Sequence, residues 1–185
     1  MKKLAKLTVL LLAGTLLLVL TACGAAPGGS ASMTPEEIAA KQRLLDEINN
    51  YRASLDPSLA PLVEVKQLSD AEQAFIEPFR AAGKTELPLS ERDEATKLWS
   101  SMTAGRTPCG GFGLVLKRKG DHPPFEFFHF LSAKVPANTP EGKAELLAAL
   151  RDPDFHAFDC QNCKNIGIAV VTIDGQMYWN CTVYN

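Results

Sequence analysis

The apolar positions of this chain change period partway along it, from helical spacing to alternation. From Thr34 onward the spacing is helical. Ile38, Leu45, Ile48 and Leu55 recur on one side, and Leu44 and Tyr51 widen the stripe. Thr34-Pro35-Glu36-Glu37 predicts the start of this helix: Thr34 can cap, Pro35 suits the first helical position, and Glu37 completes a capping box. Asp56-Pro57-Ser58 predicts its end. A short extended piece, Pro61 to Val65, follows. Ser69-Asp70-Ala71-Glu72 reads as a second capping box. The helix it would open carries Ala71, Ala74, Phe75 and Phe79 on its apolar side, with Pro78 expected to kink or end it. A third helix is expected after Ser90, with Ala95, Leu98, Trp99 and Met102 on one face, stopping at Gly105.

Beyond Gly105 the pattern is that of strands. Phe112, Leu114 and Leu116 alternate with smaller or charged residues. Phe125 to Leu131 is apolar on both faces and reads as a covered strand. Thr139-Pro140-Glu141 opens another helix, with Leu146, Leu147 and Leu150 apolar, ending before Asp152-Pro153. Two strands close the chain, Asn165 to Ile173 and Gln176 to Tyr184, and Asp174-Gly175 between them is a two-residue hairpin turn. That turn pairs Ile173 with Gln176. Trp179 then faces Val170, Cys181 faces Ile168, and Val183 faces Ile166. These six residues share one face, the expected core side. Helices covering such a sheet make an α+β layered domain.

The N-terminus has a different pattern. Lys2, Lys3 and Lys6 precede an apolar run that starts at Leu7 and closes with Leu20-Thr21-Ala22-Cys23. A basic head, an apolar middle and small residues before a cut site make a secretory signal. With cysteine at the cut, the four residues resemble a bacterial lipobox, so Cys23 is the expected site of lipid attachment. The run is short for a membrane span and no stop-transfer cluster follows it. The expected organisation is a signal peptide over 1–22, a small, charge-free tether over 23–33, and one domain over 34–185. The expected location is extracytoplasmic, lipid-anchored to a bacterial membrane.

Without the three leader lysines the chain holds 16 basic and 21 acidic residues, a net charge of −5. That balance, with no basic stripe, excludes nucleic acid as an expected partner. The one basic run, Lys117-Arg118-Lys119, reads as a solvated hairpin tip.

Cysteines and histidines supply the candidate chemistry. Besides Cys23 there are Cys109, Cys160, Cys163 and Cys181. An even number in an exported domain suggests two disulfides. The hairpin register limits the pairing. Cys163 lies about 17 Å from Ile168 along an extended strand, so a bond to Cys181 needs the segment to fold back until the α-carbons come within about 7 Å. Cys109 is free to pair with Cys160 or Cys163. A competing use is a divalent metal: His156-x3-Cys160-x2-Cys163 has ligand spacing, with Cys181 or Cys109 as a fourth ligand. A thioredoxin-like centre lacks its strand-to-helix context. Among the histidines, His122 falls in a turn and reads as solvated. His129 falls in an aromatic strand and reads as a hydrogen-bonded core residue. His156, in Asp154-Phe155-His156-Ala157-Phe158, is the candidate cleft residue. No Gly-x-Ser-x-Gly or His-Glu-x-x-His segment occurs, and no catalytic residue is assigned.

Leu45-Asp46-Glu47-Ile48-Asn49-Asn50-Tyr51-Arg52 in the first helix is followed by Pro61-Leu62, then by Leu68, Ala71 and Ala74, and at the end of the chain by Ile166-Gly167-Ile168-Ala169-Val170, Asp174-Gly175 and Tyr178-Trp179 in the final hairpin. This ordering resembles the CAP superfamily (cysteine-rich secretory proteins, antigen 5 and pathogenesis-related proteins), called SCP-like in bacteria. The resemblance covers about Ile38 to Ala82 and Asn165 to Tyr184. It implies a three-layer α-β-α sandwich with a central antiparallel sheet. Family members usually carry two histidines and two acidic residues in a cleft that can hold a divalent metal. Here Ala82-Gly83-Lys84-Thr85 offers no first histidine. The acidic residue of the usual Gly-Glu-Asn segment is also missing, the nearest glycine cluster being Cys109-Gly110-Gly111-Phe112-Gly113, and only His156, eleven residues before Gly167, matches by position. The expectation is therefore a tethered binding module for a lipid, cell-wall or protein ligand, rather than an enzyme. The runners-up are a metal-dependent hydrolase of the cell envelope using His156, and a small metal-binding lipoprotein using His156, Cys160 and Cys163.

Overall fold

The computed structural model describes residues 33–120, 125–152 and 158–185. The expected leader with Cys23, the tether up to residue 32, His122 and His156 lie outside the described residues. Among the described residues no helix is long and apolar enough to cross a membrane.

Helix α1 runs Pro35–Leu55 and starts as its sequence predicts. The Glu37 N–H donates to Thr34 Oγ1 at 3.2 Å, and the Thr34 N–H donates to Glu37 Oε2 at 2.9 Å. Glu37 does more than cap. It is buried and also accepts bonds from Arg80 and Thr172, which tie the helix start to the next helix and to the sheet. The buried stripe of α1 is Ala40, Leu44, Leu45, Ile48 and Tyr51; Ile38 and Leu55, expected on it, are exposed.

Strand β1 (Val63–Glu64) leads into helix α2 (Lys66–Ala82). The expected capping box at Ser69 to Glu72 is not one. The helix begins four residues earlier, after Val65, with no side-chain cap. Ser69 Oγ instead donates to Glu64 Oε1 and accepts from the Ile168 N–H, bonding β1 and the sheet to the helix. Pro78 does not end α2 either. The last turns hold because Ile76 and Phe79 are fully buried against the sheet, which outweighs the one hydrogen bond the ring removes. The helix stops at Gly83, whose φ is +62°. Strand β2 (Glu86–Pro88), a turn of 3-10 helix (Leu89–Arg92) and helix α3 (Asp93–Met102) follow. Leu98 of α3 is exposed.

The remaining elements are β3 (Pro108–Phe112), β4 (Leu114–Lys119), β5 (Glu126–Leu131), α4 (Pro140–Leu150), β6 (Asn165–Ile173) and β7 (Gln176–Tyr184). The closing hairpin has the expected register: Ile173 opposite Gln176, Val170 opposite Trp179, Ile168 opposite Cys181, Ile166 opposite Val183. Asp174 and Gly175 have φ of +49° and +77°, the paired positive values of a tight hairpin turn.

Two sheets result, with strand orders β1-β6-β7-β3 and β2-β5-β4. The first is not wholly antiparallel, because β1 pairs parallel to β6. Its six expected core residues join α1 and α4 in one apolar cluster. Its other face, through Ala169, Val171 and Ile173, packs on Ile76 and Phe79 of α2 and on Leu87 and Leu131 of the second sheet. Helices thus cover both faces of the closing hairpin in an α+β arrangement. Gly113 carries the chain from β3, at the edge of one sheet, to β4, at the edge of the other. Its φ is +107°, and a Cβ there would lie 2.2 Å from the Trp179 carbonyl oxygen, so only glycine fits.

The second sheet departs from expectation in two ways. Strand β5 is not covered on both faces, since Phe125 and Phe127 are exposed. Lys117, Arg118 and Lys119 end β4 rather than form a loose tip, and each lies over a ring: Phe130 at 3.8 Å, Phe125 at 4.5 Å and Phe128 at 4.3 Å from the centroid. The apolar stems and cationic heads of these residues cover aromatic surface that would otherwise face water.

Candidate functional site

An open cleft of about 480 Å³ lies where the two sheets diverge. Its walls come from six elements, Leu114 and Leu116 of β4 among them. Phe75 of α2 and Trp99 of α3 stack with ring centroids 5.4 Å apart. His129 of β5 meets the Phe75 ring edge-on at 6.0 Å. Gly110 and Gly111 of β3 form a bare strip of backbone, and Asn180 and Thr182 of β7 add polar groups. A side chain at Gly111 would press on the Cys181 carbonyl at 3.1 Å and on Thr182 Oγ1 at 3.3 Å. A larger surface recess beside the hairpin turn, about 730 Å³, has no unpartnered buried polar atom on its wall among the described residues.

Behind the cleft sits Glu72, which is fully buried. Its Oε1 accepts from Trp99 Nε1 at 2.9 Å and from the Tyr184 hydroxyl at 3.3 Å, and its Oε2 accepts from Asn180 Nδ2. One carboxylate therefore fixes α3 and β7 to α2, and with them two cleft residues. Burial pushes the Glu72 carboxyl above the usual carboxylate range, and these donors act against that rise.

Arg92 is the second buried charge. Its guanidinium lies 4.2 Å from the Phe75 centroid and 4.7 Å from that of Phe79, and its Nη2 donates to the Phe75 carbonyl oxygen. Its Nε and Nη1 have no hydrogen-bond partner among the described residues. Burial lowers its pKa to about 10. His129 is lowered to about 4, first by its own burial and then by Arg92. It is neutral at physiological pH. The expected hydrogen bond to this histidine is not found, because Nδ1 is buried without a partner among the described residues. Burial in an aromatic strand was expected; the neighbouring buried cation, brought in from a 3-10 turn, was not visible in sequence.

The cysteines form a separate cluster. Cys109 of β3 and Cys163, just before β6, form a disulfide with α-carbons 6.7 Å apart. Two disulfides were expected; the described residues contain one, with Cys160 and Cys181 left as thiols. Cys181 stands opposite Ile168 mid-strand, and Cys163 bonds Cys109 rather than folding back to it. Burial, and then the charge of Glu72, push its thiol well up. Cys160 remains close: its sulfur and those of Cys109 and Cys163 all lie within 4.8 Å of one another. In the oxidised chain the disulfide takes Cys163 out of the expected ligand set of His156, Cys160 and Cys163, and Cys109 with it.

Arg52 builds this corner. It is buried on α1, and its guanidinium donates to the carbonyls of Ala60, Phe158, Cys160 and Cys163, the last two at 3.3 and 3.4 Å. Asn49, one turn earlier, exchanges two bonds with the Leu62 backbone. The Asn49-x-x-Arg52 pair is thus a clamp that holds two irregular segments on the helix.

Phe75, Trp99, His129, Asn180 and Thr182 were seen in the sequence as members of elements, whereas the Gly110-Gly111 strip was not, and Glu72 and Arg92 were missed as site residues. Glu72 did leave a signal. Leu68, Glu72, Phe75 and Phe79 keep helical spacing, which puts the carboxylate within the apolar stripe. No family model, curated protein or solved structure matches the chain.

Proposed function

We propose that this chain is a membrane-tethered, extracytoplasmic binding module on a CAP-like scaffold, and that its ligand occupies the cleft between the two sheets. The observation that supports this reading is the cleft wall. It has an aromatic pair, a neutral histidine and a side-chain amide, held in place by a carboxylate and a guanidinium buried behind them. Stacked rings beside hydrogen-bonding groups suit a ligand with one apolar face and a polar edge. A cell-wall saccharide has that character, since a sugar ring stacks through its C–H face and bonds through its hydroxyls. The Leu20-Thr21-Ala22-Cys23 pattern supports the tether, through lipid on Cys23.

Trp99 lines the cleft, whereas Trp179 is 1% exposed in the core. Intrinsic fluorescence titrated with soluble cell-wall glycan therefore reads the cleft. A saturable change is expected that disappears in Trp99→Phe. No saturable change, or one that persists in Trp99→Phe, overturns the cleft reading. Metal-dependent turnover abolished by His156→Ala overturns it in favour of a hydrolase. For the tether, Cys23→Ser is expected to move the chain out of the membrane fraction, and its retention there overturns the lipid anchor.

A further inference from the structure

Three sulfur atoms meet where the edge strand β3 approaches the segment before β6. Those of Cys109, Cys160 and Cys163 lie within 4.8 Å of one another, and one pair is joined while the third stays a thiol. We propose that this trio is a thiol–disulfide exchange centre in which Cys160 is the resident nucleophile for the Cys109–Cys163 bond. This inference rests on the sulfur cluster and stands apart from the ligand reading of the cleft.

The step is balanced within the protein. Cys160 gives its proton to solvent, and its sulfur attacks Cys163 Sγ. A Cys160–Cys163 bond forms, the Cys109–Cys163 bond breaks, and the electron pair leaves on the Cys109 sulfur, which takes up a proton. One disulfide and one thiol are present before and after, so no external oxidant or reductant is consumed. The attack runs along the axis of the bond that breaks.

Four features favour this use of the cluster. Cys160 is half-buried on an irregular segment, so its proton can reach water. The Cys163 N–H bonds the Cys160 carbonyl at 3.4 Å, a turn that keeps the two cysteines together. The Arg52 guanidinium donates to the carbonyls of both, which fixes the short segment that carries the two cysteines. Attack on Cys109 instead would expel Cys163, whose sulfur is buried and has the poorer surroundings for a leaving thiolate. Exchange has a structural consequence. It releases β3, which carries Gly110 and Gly111 of the cleft wall, from its covalent staple to the core.

The test uses the full chain carrying Cys23→Ser, which removes the one cysteine outside the described residues. The chain is held folded at pH 8 with dilute iodoacetamide, and alkylated positions and remaining disulfides are mapped by tandem mass spectrometry. Slow trapping drains whichever thiols the exchange produces. Label is expected on Cys109, with a Cys160–Cys163 bond, beside label on Cys160. Label on Cys160 alone, with Cys109–Cys163 intact throughout, overturns the proposal. So does one stoichiometric metal ion held by the three reduced thiols and resistant to oxidised glutathione. In a second arm, Cys109→Ser exposed to oxidised glutathione is expected to lose two hydrogens by closing Cys160–Cys163. Two glutathionylated cysteines there overturn the proposal, and because the wild-type arm needs no variant, a Cys109→Ser chain that fails to fold does not shield it.

Discussion

Glu72→Ala, set against Glu72→Gln, asks whether one buried carboxylate organises the cleft. In the native chain it accepts bonds from Trp99, Asn180 and Tyr184. Alanine removes the acceptor that all three share. Trp99 is half-buried and can turn to water; Asn180 and Tyr184 are buried and cannot. An unsatisfied buried donor costs about 1–3 kcal/mol, so two cost about 2–6 kcal/mol. Removing a buried carboxylate also relieves its own desolvation, which brings the expected net loss to about 2–4 kcal/mol. Against a usual total of about 5–15 kcal/mol this is large. Glutamine keeps an oxygen for Trp99 and Tyr184, and Asn180 can flip its amide to accept from the new NH2, so Glu72→Gln is expected to cost under about 1 kcal/mol.

The pH dependence separates the two roles of this group. Burial raises the folded-state value of Glu72 above its unfolded value, which is near 4.3 for a glutamate. A raised group favours the folded chain fully below its unfolded value, and that contribution is lost as pH rises through the folded value. Stability of the native chain is therefore expected to fall as pH rises above about 4.3, and Glu72→Gln removes that limb. Urea unfolding at pH 4, 5.5 and 7, with a common slope in denaturant, measures both effects. Glu72→Ala within about 0.5 kcal/mol of wild type, or a Glu72→Gln chain with an unchanged pH limb, refutes the assignment.

Three further outcomes follow from the geometry. His129, held to about 4 by burial and then by Arg92, contributes stability that is present above its unfolded value near 6.5 and lost as pH falls toward about 4. His129→Phe should remove that acid limb in the same urea series, opposite in sign to Glu72→Gln. Cys109→Ser opens a loop with a sequence separation of 54, for which chain entropy predicts a loss of about 4 kcal/mol; Cys160→Ser should lose none of it, and denaturation with and without reductant compares them. Gly113→Ala forces a side chain onto a φ of +107° and against the Trp179 carbonyl. About 2–3 kcal/mol of strain and clash should lower the thermal midpoint by roughly 4–12 °C by calorimetry.

What could be read from the chain follows the range of the forces involved. The closing hairpin was legible to the residue because a two-residue turn and a period of two leave one register. The first helix start was legible because Thr34 and Glu37 act within one turn. Ser69 and Glu72 show the limit. A Ser-x-x-Glu spacing is the same for a cap and for two buried groups one turn apart, and only their tertiary partners, Ile168 and Asn180, tell them apart. The cysteines behave likewise. The position of Cys181 in its strand argued against Cys163 as its partner, but the choice between Cys160 and Cys163 for Cys109 depends on β3 docking along β7, which no local signal fixes. Strand β5 was read as covered because its rings fall on both faces; the lysines and arginine of β4 supply part of that cover, leaving Phe125 and Phe127 exposed.

Glu72 and Arg92 pose the energetic question that bears most directly on function. They are buried, opposite in charge, and neither forms an ion pair among the described residues. Both bear on Phe75: Glu72 precedes it by one helical turn, and Arg92 covers its ring. A buried charge without its counterion rarely adds stability, and apolar replacements of similar size are often neutral or stabilising. If Arg92 is kept because it poises the cleft, Arg92→Met should leave stability level or higher while His129 changes. Loss of the nearby cation removes one of the two causes that depress His129, so its titration should move up toward the ordinary histidine range. Proton-detected titration of the His129 ring reads this directly, beside unfolding of the same variant. A folded Arg92→Met chain with His129 titrating where it did before would mean that the guanidinium does not act on the cleft. A chain destabilised by several kcal/mol would mean that Arg92 is retained for packing over Phe75 and Phe79.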